Sequence, residues 1–216
     1  MRMPSDLEEM VYNVYGNRDI KIKPCPFTQA EIDELEETNE MLIYVPEEIS
    51  EGEMIKLGKL VCGFNWDVDK GMINSPMTDE SHWLICSASP IPEMLGQSAA
   101  SIARVYEEEG LEGMDFRRYL AFILHYRYLT NEYPDFRQWC LLVGGNYDRS
   151  GVSLVGFDKF HHFGHHGWMR NFKAKMSGGR YVVFPPRKHI NAETELLPRA
   201  RRGVRAQDTH DSGVDR

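Results

Sequence analysis

Apolar positions recur with a helical period through the first half of the chain and shorten to strand-like runs in the second. Ser5-Asp6-Leu7-Glu8 has the form of a capping box and Gly16 is a stop, so 6–15 reads as a short helix. Thr28-Gln29-Ala30-Glu31 repeats the box and opens an acidic helix reaching about Met41, with Ile32 and Leu35 on one side. Ser50-Glu51-Gly52-Glu53 repeats it again, ahead of Met54, Leu57, Leu60 and Val61 at helical spacing. Ser98 caps a further helix with Ile102, Val105 and Tyr106 inward, ended by Gly110. Asp115 caps the strongest one, Phe116 to Leu129, whose Phe116, Tyr119, Leu120, Ile123 and Tyr126 form a stripe that must face a core. His125 lies in that helix and reads as a packed, hydrogen-bonded residue.

Short apolar runs bounded by turn residues predict strands at 82–87, 140–143, 152–157 and 181–184. Gly144-Gly145-Asn146-Tyr147-Asp148-Arg149-Ser150-Gly151 between two of them lacks the lysine of a phosphate loop and precedes no helix, so it reads as a hairpin. Asp67 and Asp69 hint at calcium, but the other ligands of a calcium loop are missing and a turn is the simpler reading. The expected fold is α+β: acidic helices packed on a small, mostly antiparallel sheet. One domain covers 1–192, and the polar stretch 193–216 reads as a flexible tail.

Composition adds limits. No run approaches the ~18 apolar residues of a membrane span, so no membrane role and a cytoplasmic location are expected. Four cysteines without a C-x-x-C pair argue against a zinc ribbon or a disulfide framework. The net charge of −8 is uneven. Residues 1–110 carry 22 acids and 8 bases, whereas 159–192 carry seven bases and no acid. A basic segment on an acidic body is a candidate anion site.

That segment holds the candidate chemistry, in three readings. His161, His162, His165 and His166 could gather a divalent metal such as zinc, which would suit a metal-dependent hydrolase, although no H-E-x-x-H pattern supplies a general base. Trp168, Arg170, Lys173, Lys175 and Arg180 interleave cations with aromatic residues, which suits a nucleic-acid phosphate or another anionic ligand. Alternatively, Trp168, Met169, Phe172 and Met176 form the apolar side of an amphipathic helix on the core, and the cations are solvated. A metal-free enzyme would need a histidine with Asp158 or Asp148, and Ser150 or Cys140 as nucleophile, without any recognisable nucleophile elbow. The favoured reading is a binding protein that meets an anionic partner through 159–189; a protein partner stays open.

Overall fold

The computed structural model describes residues 3, 6–16, 18–60, 73–74, 80–147, 151–173 and 175–185. Its fold is α+β, as expected, but with two sheets rather than one. The expected helices form, four of them from the caps the sequence announced, whereas the first is capped by Asp6, which accepts from Glu9 N–H, and Ser5 lies outside the described residues. In chain order the helices are α1 (Leu7–Val14), α2 (Gln29–Glu37), α3 (Glu51–Leu57), α4 (Ala99–Glu108) and α5 (Phe116–Thr130). Thr28 and Ser50 each complete a reciprocal capping box with the glutamate three residues on. We expect Thr28→Ala to lower stability by about 1 kcal/mol, read as a shift of the urea unfolding midpoint.

The acidic helix stops at Glu37, short of Met41, and the chain reverses at Asn39 (φ 56°) into strand β1 (Glu40–Val45). Met41 to Val45 are all buried, so this run, apolar on both faces, belongs to a strand covered on both sides. The first sheet has the order β1-β3-β9-β4, all antiparallel, where β3 is His82–Ser87, β4 is Glu112–Gly113 and β9 is Tyr181–Val183. The second has the order β2-β5-β6-β7, where β2 is Ile73–Asn74, β5 Trp139–Tyr147, β6 Gly151–Phe157 and β7 Phe163–Met169. A short strand β8 (Ser177–Gly179) pairs in parallel with β5. The hairpin expected around Gly144 is β5–β6, with Tyr147 opposite Gly151.

Between the sheets lies α5. Every residue from Phe116 to Tyr126 is buried, including Arg117, Arg118 and His125, so the helix is covered all round rather than on one stripe. Its polar side chains are bonded accordingly. Arg117 donates to the carbonyls of Pro46 and Ile49, and Arg118 pairs with Glu112. A second apolar layer forms on the far face of the second sheet, where Ala99, Ile102 and Tyr106 of α4 meet Leu141, Val152, Leu154 and Tyr181. The tail expected at 193–216 lies outside the described residues, as do Asp67, Asp69, Asp148, Arg149 and Ser150. No helix among the described residues is long and apolar enough to cross a membrane.

Candidate functional site

The histidine stretch forms the turn and second strand of a hairpin, β6–β7, whose seven residue pairs run without a shift from Gly151–Met169 to Phe157–Phe163. Asp158 closes the turn. Its carboxylate accepts from the backbone N–H groups of Phe160 (2.7 Å) and His162 (2.9 Å), and its Oδ2 lies 3.3 Å from His162 Nδ1. His161 takes a left-handed conformation (φ 62°) and stacks on Phe136 with 4.7 Å between ring centroids. Strand alternation then sends His165 and His166 to opposite faces. His165 points into the core, its Nε2 2.8 Å from Ser153 Oγ and its ring stacked on Phe116 at 4.9 Å. Burial pushes it down to about 3. His166 is exposed, 5.4 Å from the Trp139 ring.

The four histidines are therefore split between the turn, which holds His161 and His162, and the two faces of β7, which carry His165 and His166. Among the described residues, no group of three or more histidine, cysteine, aspartate or glutamate side chains converges as metal ligands would. The Ser153–His165 contact has the composition of a nucleophile and its base, but it is sealed against Phe116, away from any substrate. Cys140 is sealed too, and burial raises its thiol well above the ordinary range, opposite to what a nucleophile needs.

The basic residues divide as well. The amphipathic helix expected over 168–176 does not form, because β7 extends to Met169 along β6 and a turn follows. Trp168, one residue before the end of the strand, is half-buried and donates its indole N–H to the Phe172 carbonyl (3.1 Å). Phe172 N–H donates to Met169 O (3.1 Å), and Ala100 N–H at the start of α4 donates to Arg170 O (2.9 Å). Lys173 forms an antiparallel bridge with Ser98. Two further bonds fix the exit, from Trp139 N–H to Met176 O (2.9 Å) and from Gly96 N–H to Ser177 O (2.8 Å). The backbone is tied at both ends while the side chains point outward. Met169 is 62% exposed, Phe172 55% and Met176 54%, and Leu95, next to the Gly96 that bonds Ser177, is 39% exposed. Lys173 and Lys175 are exposed and Arg170 is half-buried.

Arg180 leaves the set of surface cations. It is 2% exposed, and its Nε and one terminal nitrogen grip the Asp135 carboxylate at 3.0 and 2.6 Å. The same terminal nitrogen reaches Ser89 O (2.9 Å), and the guanidinium lies 4.4 Å from the Phe122 ring centre. Desolvation opposes its charge, but the Asp135 carboxylate outweighs that and raises its pKa. An arginine so placed holds the fold and cannot meet a ligand.

Leu95 was outside the stretch singled out by sequence. The signal that a second backbone lies there was Gly178, whose added Cβ would sit 2.0 Å from Glu93 O. In comparisons with protein-family models, curated proteins and solved structures, nothing matches this chain.

Proposed function

We propose that this protein is a binding protein that docks a phosphate-bearing, anionic partner on the turn between β7 and β8. Arg170, Lys173, Lys175, Met169, Phe172 and Met176 form the contact, and Trp168 braces it from beneath. One observation carries the reading. Apolar and cationic side chains stand exposed on a turn whose backbone is already bonded to the α4 entry and to β5. Singly exposed apolar side chains are ordinary, but three exposed by more than half within eight residues, at the end of β7 and along the turn, point to a partner. A pre-ordered turn also spares the partner the cost of ordering it.

Retention on a heparin column tests the anionic half of this reading without assuming which anion is native. Lys173→Ala/Lys175→Ala is expected to elute at clearly lower salt than the wild type, because each lost cation removes one counterion-releasing contact. Co-elution of the two proteins would sink the reading. Thermal unfolding should be the same for both, since both lysines are exposed.

A further inference from the structure

We infer that the anionic partner is the surface of a lipid bilayer carrying acidic headgroups, with Met169, Phe172 and Met176 entering the headgroup–acyl boundary and Lys173 and Lys175 pairing with the headgroups. This rests on the anionic-partner reading and narrows it. The choice follows from which apolar side chains are displayed. Single-stranded nucleic acid is held by aromatic faces on which successive bases stack. Here one exposed side chain of the four, Phe172, is aromatic; Met169, Met176 and Leu95 offer no π-face. Trp168, the aromatic residue of β7 nearest the turn, is half-buried and its indole N–H is taken by Phe172 O. Two unbranched thioethers and a phenylalanine suit a fluid hydrocarbon boundary, which demands no stacking geometry.

The cations have the placement such a boundary needs. Lys173 and Lys175 alternate with the apolar residues along one turn, so long aliphatic stems can follow the inserted side chains while the ammonium groups stay at phosphate level. The whole-chain charge adds orientation. Arg180 is neutralised in the core by Asp135, so the described cations of the segment at the surface are Lys159, Arg170, Lys173 and Lys175, against 22 acids and 8 bases in 1–110. A negative surface attracts these cations and repels the acid-rich half of the chain. The expectation of no membrane role rested on the lack of an apolar run long enough to span, which bears on crossing a bilayer and not on lying at its surface.

Co-sedimentation of the full chain with vesicles decides it, using phosphatidylcholine alone and phosphatidylcholine mixed with phosphatidylserine. A labelled single-stranded oligonucleotide is titrated in parallel. The mixed vesicles should take down the protein and the neutral ones should not. Lys173→Ala/Lys175→Ala should reduce partition by about fivefold per lysine at low salt. Phe172→Ser should reduce it about tenfold, and by as much at high salt, because its contribution is apolar. Unchanged vesicle binding by Phe172→Ser would overturn insertion of the turn. Oligonucleotide binding through the same lysines, with no vesicle binding, would overturn the lipid assignment and leave the anionic-partner reading standing. Loss of vesicle, oligonucleotide and heparin binding alike would remove both.

Discussion

Asp135→Ala is expected to cost about 3–5 kcal/mol of folding stability, most of what a domain of ordinary stability has. The reason is what it leaves behind. Side-chain exposure is 1% for Arg180 and 0% for Asp135, so the guanidinium would stay in the core without its counter-charge. Tyr119 would lose its acceptor as well, since its hydroxyl donates to Asp135 Oδ2 at 2.8 Å. Chemical denaturation of the purified variant reads the effect as a lower midpoint. The double change Asp135→Ala/Arg180→Met should recover much of the loss, because a buried pair replaced by apolar groups is close to neutral. A single variant within about 1 kcal/mol of wild type would show that water reaches the guanidinium.

Acid is expected to destabilise the protein from about pH 6.5 downward, before its carboxylates begin to take up protons. His125 is buried, with Nδ1–H donating to Ala121 O (2.9 Å) and Nε2 accepting the Tyr44 N–H (3.2 Å). A second ring proton would face that N–H directly. Burial accordingly pushes His125 down to about 4 and His165 to about 3. The sign follows from the unfolded chain, where a histidine titrates near 6.5. As pH falls below that value the unfolded state takes up protons that the folded state refuses, so stability drops until about pH 4 for His125 and about pH 3 for His165. Each contributes a loss of roughly 1.4 kcal/mol per pH unit within its window, and none above it. Asp115, raised by burial, works in the opposite sense at the acid end. Burial also lowers His82, so urea midpoints measured from about pH 7 down to about pH 5 should fall, and His165→Gln should remove part of that slope and leave the share of His125 and His82. A flat profile would mean that both imidazoles accept protons without opening the fold.

Much of the helical half was legible because its signals are local. A cap and a hydrophobic period lie within a few residues of each other, and Thr28, Ser50, Ser98 and Asp115 all cap the helices they announce. The errors lie where distant residues decide. Met41 to Val45 could extend a helix by local preference, but pairing with β3 and burial on both faces make it a strand. Trp168 to Met176 has helical spacing, yet the seven pairs with β6 draw its first residues into the sheet and turn Phe172 and Met176 outward. Arg180 looked like its neighbours Lys173 and Lys175 because the residue that claims it lies 45 positions earlier. The histidines looked like a cluster in sequence because a one-letter string does not show that neighbours on a strand face opposite ways.

The position of β9 bears on when the chain can fold. Residues 181–183 are not an edge of the first sheet; they lie between β3 and β4, and they are the only described strand that β4 pairs with. Immediately before them Ser177–Gly179 joins the other sheet beside β5. On a translating ribosome the early helices and the β1–β3 pair can therefore collapse first, but neither sheet is complete until this late segment has emerged from the exit tunnel. Until then α5 has an open side and an aspartate, Asp135, waiting for its arginine. The nascent protein spends that interval with core apolar surface uncovered, the condition under which folding intermediates aggregate.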